Sequence, residues 1–415
     1  MPTARAIILL TIAGLIFCQI GNVPRRAVSA TFFGMDLIAP KIWPAAPIGA
    51  LGKGAGTGWR YLEPARGVYK WYGTDLYVQA AERHGIDVLY TFDGTPQWAS
   101  LRPEEPCDAG PIGCAAPPAD IHDWENFVRA VATRYKGRIK LYELWNEPTT
   151  QLEWSGTYAE MIKLASSAYS IIKSIDSGAL VLTPAPSAHG YQPRKITSPV
   201  QPQWMRDYLK AGGDSFADGG SWHAYPWPGA CSQMMDCAGD PLLRQIETMR
   251  SVFDHSALKD KPIYVTEGGW RTDSDLRDPD EQAAYVSRWY ILLASSGISR
   301  AYWHAWDDDR WGTLWDPTNG MHKAGTAYEQ VQKWLSGASI GACSAAEDLW
   351  RCELTRINNY RGLLVWRNSG TGSYSAPEIY RTYRDLDGHR MRADGPISIG
   401  LKPVLFETTA SDLVN

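Results

Sequence analysis

The sequence predicts an α/β protein: a closed (β/α)8 barrel followed by a small antiparallel β-sandwich. Three observations predict it. From residue 31 onward, short apolar runs alternate with longer amphipathic ones. Most of the short runs are apolar on both faces, as parallel strands covered by helices must be. After residue 337 the helical runs give way to short strands separated by turn residues. Eight strand candidates over about 300 residues fit a closed barrel better than an open doubly wound sheet. No Gly-x-Gly-x-x-Gly turn follows the first strand, which argues against a nucleotide-binding fold.

The expected strands are Thr31–Ile38, a glycine-rich Ile48–Gly58, Val88–Phe92, Ile139–Trp145, Leu180–Thr183, Gly220–Ala224, Ile263–Thr266 and Ala301–Ala305. Helical periodicity falls on Gly73–His84, Ile121–Tyr135, Tyr158–Ile175, Trp204–Ala211, Pro241–His255, Pro279–Ser296 and Tyr328–Leu335. The trailing strands are Leu349–Asn358, Gly362–Arg367, Glu378–Arg384, Gly395–Gly400 and Pro403–Glu407. These place the catalytic barrel at 31–337 and the sandwich at 338–415, with no repeat or low-complexity linker between them.

Residues 1–30 read as a secretory signal: Arg5, an apolar run from Ala6 to Phe17, and Val28-Ser29-Ala30 as a cleavage site. Arg25 and Arg26 lie close to that site, so an uncleaved N-terminal anchor is the alternative. Cysteine usage agrees with export to the periplasm or beyond. Besides Cys18, six cysteines fall into local pairs, Cys107 with Cys114, Cys231 with Cys237 and Cys343 with Cys352. Loops this short are expected to add only roughly 2–3 kcal/mol each. No Cys-x-x-Cys or spaced histidine accompanies them, so no metal site is expected. A net charge of −4 leaves no basic footprint for nucleic acid. Nineteen tryptophans suit a cleft that stacks the flat faces of sugars. A monomer is expected.

In a barrel the C-terminal ends of the strands converge on one face. The third strand exits into Thr91-Phe-Asp-Gly-Thr-Pro-Gln-Trp98, and the fourth into Trp145-Asn146-Glu147-Pro148. The sixth gives Trp222-His223-Ala-Tyr225-Pro-Trp227, the seventh Glu267-Gly-Gly-Trp270, and the eighth Trp303-His304-Ala-Trp306-Asp307. Polar groups interleaved with aromatics mark a carbohydrate cleft. Glu147 and Glu267 each end an apolar strand at an open turn. Two carboxylates converging on one cleft are what acid-assisted displacement at a sugar carbon requires.

Trp-Asn-Glu147-Pro, Thr-Glu267-Gly-Gly-Trp and the intervening His223-Ala-Tyr225 resemble the retaining glycoside hydrolases of clan A. Tyr-Leu-Glu63-Pro-Ala-Arg-Gly-Val-Tyr-Lys-Trp71, Thr-Pro-Gln-Trp98 and Tyr-Trp303-His-Ala-Trp306-Asp are similar to the bacterial enzymes around glycoside hydrolase family 39. The resemblance spans roughly residues 31–336. It implies a cofactor-free enzyme with Glu147 as acid/base and Glu267 as nucleophile. It further implies that Asn146 binds the sugar 2-hydroxyl, that Tyr225 donates to Glu267, that His223 lines the floor and that Trp303 forms a sugar platform. Trp98, Trp270 and Trp306 belong to the same aromatic exits and are expected to contact substrate. One departure stands out: many clan members carry an arginine at the end of the second strand. Here only Lys53 and Arg60 offer a positive charge nearby.

Other readings stand beside these. Glu143 shares the alternation phase of Glu147 and is expected inside the barrel as a buried structural carboxylate. Glu153 reads as a loop charge and Asp307–Asp309 as an exposed acidic turn. His223 and His304 could each be structural. Trp43, Trp154, Trp311 and Trp315 stand evenly between sugar platforms and loop packing. The chain thus reads as a hydrolase of β-linked saccharides, with a binding-only barrel or a transglycosylase using the same two glutamates as alternatives.

Overall fold

A computed structural model describes residues 27–54, 56–108, 110–187, 200–225, 231, 234–271 and 276–408. The expected signal segment lies almost wholly outside them. Eight parallel strands form the barrel: β1 (Phe33–Leu37), β2 (Ala50–Gly54), β3 (Asp87–Thr91), β4 (Leu141–Glu143), β5 (Leu180–Leu182), β6 (Gly220–His223), β7 (Ile263–Glu267) and β8 (Arg300–Trp303). Their order runs from β5 down to β1 and on through β8 and β7 to β6. A parallel bridge between Leu182 and Gly219 closes the ring. Each expected strand overlaps an observed one.

Helices between the strands supply the outer layer. Tyr158–Ile175 starts at a capping box in which Thr157 and Glu160 bond each other's backbone N–H. Pro279–Ser295 starts at Asp278, whose carboxylate accepts from two backbone N–H groups, with proline in the first turn. Among the described residues, no helix is long and apolar enough to cross a membrane.

The barrel interior is layered. Ala50, Leu89, Leu141, Leu182, Tyr264 and Tyr302 pack together from six different strands. Side chains two positions further along point the same way, and here they turn polar. Thr91 donates to Glu143 there, and beside that register Thr183 and Ser221 bond one another's strands. Glu143 is therefore the buried structural carboxylate expected of it, only 1% exposed. Above this layer the strands end and the cleft begins.

The second strand is rich in glycine for a steric reason. A methyl group on Gly52 would overlap the Asp36 carboxylate, and one on Gly58 would overlap Asp93. Gly52 in β2 and Gly58 just beyond it make room for Asp36 of the first strand and for Asp93 just past the third.

Beyond the last barrel helix (Lys323–Leu335), antiparallel strands build a main sheet in the order Ser339–Ile340, Leu349–Thr355, Arg361–Arg367, Val404–Glu407, Thr382–Arg384, Arg390–Arg392. Gly372–Tyr374 and Ile397–Ile399 pair as a second, smaller sheet. Alternation along the main sheet divides its two faces. Leu363, Val365, Val404 and Phe406 pack with Ile399 of the second sheet. Trp350, Cys352, Leu354, Leu364, Trp366 and Leu405 join the core shared with the barrel. Trp350 and Trp366 stack there with ring centroids 5.4 Å apart. All three expected cysteine pairs are bonded.

The tightest polar tie between the two parts is Arg288. It is fully buried on the barrel helix Pro279–Ser295, and its guanidinium donates to the carbonyls of Leu401 and Arg367. At the other end of the chain, Val28 donates to Ala338 and accepts from Gly337, and Ala27 bridges Ser339. A cut after Ala30 would remove these contacts.

Replacing Arg288 by methionine keeps most of the volume but leaves the two carbonyls without donors. Each orphaned buried group costs about 1–3 kcal/mol, so Arg288→Met should lower unfolding stability by roughly 2–4 kcal/mol in denaturant titration. A loss under about 0.5 kcal/mol, the range of ordinary surface changes, would contradict this role.

Candidate active site

The fourth strand proper ends at Glu143, and the backbone then runs through Leu144 and Trp145, both buried. Asn146 makes a parallel bridge with Ala185, and the Glu147 N–H donates to the Ala185 carbonyl. Glu147 itself adopts φ 41°, a left-handed conformation uncommon for a residue with a Cβ. Such outliers concentrate at functional sites. The turn aims the Glu147 carboxylate toward the sixth and seventh strands.

On that side the register between β6 and β7 shifts between Trp222 and His223, which sets His223 level with Glu267. Irregularities of this kind are frequent beside active sites. His223 is wholly buried, with Nδ1 2.8 Å from Glu147 Oε1 and 3.6 Å from Glu267 Oε2. One oxygen of Glu147, one of Glu267 and the imidazole nitrogen all lie within 4.8 Å of one another. The Tyr225 hydroxyl donates to Glu267 Oε2 over 3.2 Å.

The charges are arranged asymmetrically. Burial alone would raise the Glu267 pKa, yet the positive charges of His223, His304 and Lys53, with the Tyr225 hydrogen bond, bring it down to about 2. Burial disfavours the charged form of His223, but Glu267, Glu147 and Glu143 push its pKa up to about 9. His304 stands on the other flank, its Nδ1 2.8 Å from Asp36, and its pKa is raised by Glu267 and Asp36 against the cost of burial.

Among the described residues, possible metal-ligand atoms cluster in two triads that share Glu267, Glu147–His223–Glu267 and Asp36–Glu267–His304, and in a third, surface group far along the chain, Asp385–Asp387–His389. In the two that share Glu267, Nδ1 of the histidine is already engaged by a carboxylate. A histidine with a raised pKa holds its proton and makes a poor ligand. Those two triads read as hydrogen-bonded charge networks.

The missing arginine is replaced by Lys53 at the end of β2. Its Nζ lies 3.9 Å from Glu267 Oε1 and 3.6 Å from Asp93 Oδ2. Arg60 points elsewhere, toward the sulfurs of Cys107 and Cys114, the Asp108 carbonyl and Asp93.

Most of the tryptophans do not behave as expected. Trp303, the anticipated platform, has no exposed surface; it packs edge-on against Trp270 and Trp289, and its indole N–H donates to the Gly312 carbonyl. Trp270 and Trp306 are each 1% exposed. These rings build the floor under the site and offer no face to a sugar. Trp98 remains half-buried at the cleft edge, its indole N–H on the Glu63 carbonyl. Trp311 is half-buried and meets the ring of Tyr225, the residue that bonds Glu267, at 5.5 Å. Trp227 lies outside the described residues. Trp154 is buried edge-on against Trp145.

Glu153 also departs from expectation. It is 7% exposed, and burial pushes its pKa up to about 8 even though Lys53 and Arg60 pull it down. Asp36, unflagged in the sequence, is completely buried and bonds His304 and the Lys53 backbone N–H. A lone acid inside the apolar Thr31–Ile38 run was the available signal. Asp307 is no free acidic turn, since its carboxylate accepts from the Ile38 and Ala39 N–H groups.

Comparison with known proteins places this geometry. The cellulase model, glycosyl hydrolase family 5, matches residues 76–309, more than half of the chain. No curated protein matches. Among solved structures, a family 39 glycoside hydrolase from Bacteroides cellulosilyticus WH2 is similar over 91% of this chain and 81% of its own, at 18% identity and TM-score 0.72. A monomeric beta-xylosidase from Caulobacter crescentus CB15 is similar over 92% and 96%, at 13% identity and TM-score 0.63. CelM2, a bifunctional glucanase-xylanase from a metagenome library, covers the same shares at 11% identity and TM-score 0.63. At such identities the structural likeness speaks for the fold, while the family match covers strands three to eight and both glutamates. The chain belongs to the cellulase family, glycosyl hydrolase family 5, and is a clan A glycoside hydrolase whose architecture resembles that of family 39 enzymes.

Proposed function

We propose that this enzyme is a secreted, retaining β-glycoside hydrolase, with Glu267 as nucleophile and Glu147 as acid/base. The observation that carries the reading is the separation of the two carboxylates. An approach within 4.8 Å is close to the roughly 5–5.5 Å of retaining pairs and short of the roughly 6.5–9.5 Å that an inverting enzyme leaves for water.

The electrostatics support the same division of labour. A nucleophile must be bare, and Glu267 is held ionised by three cationic side chains and a phenol. In the first step Glu267 forms a bond to the anomeric carbon as the glycosidic C–O bond breaks. Glu147 gives its proton to the departing oxygen. In the second step Glu147 takes a proton from water, whose oxygen displaces Glu267. Asn146 stands beside Glu147 with a buried side-chain oxygen that has no hydrogen-bond partner among the described residues. That supports a contact with a sugar hydroxyl next to the reacting carbon.

Secretion is supported by the three disulfides. The contacts of Val28 with Gly337 and Ala338 favour a mature chain that begins upstream of Ala27. The barrel at 31–337 and the sandwich at 338–415 are proposed as separately organised but closely packed units, acting as a monomer on oligo- or polysaccharide.

Glu267→Ala should lower kcat on aryl β-glycosides by roughly 10⁴-fold or more, the scale on which loss of a covalent catalyst is felt. Azide should restore turnover and yield the α-glycosyl azide. Azide rescue that gives the β-azide, or none at all with a full-rate mutant, would overturn the assignment. His223→Asn removes a positive charge that lowers the Glu267 pKa. The acid limb of kcat/KM should therefore move to higher pH by about one unit or more. An unmoved or lowered acid limb in that variant would contradict the role given to His223.

A further inference from the structure

The wall beside Glu267 holds charged side chains to which the two-step reaction assigns no contact with the substrate: Lys53, Arg60, Asp93 and Glu153. Lys53 reaches toward two carboxylates, at 3.6 Å from Asp93 and 3.9 Å from Glu267. Both separations exceed the roughly 2.7–3.2 Å of an N–H···O bond. Among the described residues, the ammonium therefore faces two acceptors and donates to neither. Its side chain is 25% exposed, so a ligand can reach it.

Asp93 is fixed on the other side. It is 4% exposed, lies against the bare Cα of Gly58 and has Arg60 Nε 3.9 Å from Oδ1. Its Oδ1 lacks a hydrogen-bond partner among the described residues. That orphan faces Arg60 and Gly58; the prong turned to Lys53 is Oδ2, which the ammonium approaches only to 3.6 Å. No atom fits between Nζ and Oδ2 at 3.6 Å, but one hydroxyl seated to the side of the pair can bond both. Its oxygen can accept from the ammonium while its proton is donated to the carboxylate.

We propose that Lys53 and Asp93 form a fork that takes one hydroxyl of the sugar seated against Glu267, so that the site is selective for a neutral sugar at that position. The inference rests on the glycosidase reading above and names the substrate class of the same site. An anionic group in place of the hydroxyl would have no proton to donate and would meet the Asp93 carboxylate at contact distance. Glu153, with its raised pKa, adds a protonated carboxyl to this wall near neutral pH and so another neutral hydrogen-bonding group. A sugar lacking the hydroxyl would leave both prongs unfilled.

The test is a series of 2,4-dinitrophenyl β-glycosides of the sugar that the wild type cleaves best, each missing one hydroxyl. They are assayed with the wild type, Lys53→Met and Asp93→Ala, all checked for folding by circular dichroism. One deoxy position should cost the wild type about 100-fold or more in kcat/KM, as loss of a designed hydrogen bond does. The same position should cost either variant less than about 5-fold, the signature of coupling between that hydroxyl and the fork. Equal costs at every position in wild type and variants would overturn the proposal, as would a glucuronide cleaved as fast as the glucoside. If the wild type cleaves no aryl glycoside, the hydrolase assignment fails on its own. Saturation-transfer NMR with the corresponding methyl deoxyglycosides then decides the fork: it predicts that one deoxy sugar loses binding to the wild type, and equal binding of all would sink it.

Discussion

The site depends on a buried imidazolium wedged between two carboxylates. Two unit charges within 4.8 Å of each other repel by at least roughly 3–4 kcal/mol at an effective dielectric of about 20. That is a large share of the few kilocalories per mole by which proteins are stable. Left alone, such a pair would take up a proton or move apart. His223 sits within 3.6 Å of both, wholly shielded from water, and carries the compensating charge. His304 and Lys53 complete the compensation on the far side of Glu267. The pair can therefore stay close while one member remains bare.

Much of the surrounding structure serves that arrangement. The register shift in β6 brings His223 level with Glu267, and the left-handed turn at Glu147 swings the opposing carboxylate toward it. Asp36 orients His304, and Gly52 in β2 and Gly58 beyond its end leave space for Asp36 and Asp93. Beneath the charges, Trp270, Trp289 and Trp303 fill the floor with rigid rings. The floor is apolar and close-packed, which keeps local dielectric low and makes every charge above it count.

The strands, the helices and the placement of both glutamates at strand exits were legible in the amino-acid sequence because period and turn chemistry are local properties. Ile263–Thr266 reads as a strand from its own residues, and Glu267 marks its end by the glycines after it. Burial of a particular ring is not local. Trp303 ends the eighth strand and Trp311 comes eight positions later, yet one is sealed in the floor and the other reaches Tyr225. Nothing in their neighbours distinguishes them. Glu153 looked like a loop charge for the same reason: its burial comes from the packing of separate loops, including the one closed by Cys107 and Cys114. The choice between Lys53 and Arg60 was settled by direction. Lys53 ends a strand and faces the cleft, whereas Arg60 starts a helical turn and runs to the disulfide.

The short separation of the carboxylates has one consequence that a single experiment reads out, namely the configuration of the first sugar released. Proton NMR during the opening minutes of hydrolysis of an aryl β-glycoside should show the β-anomer of the free sugar appearing first, with the α-anomer growing in later by mutarotation. An α-anomer that appears first would mean direct attack by water across a wider gap, and would contradict the account of this site.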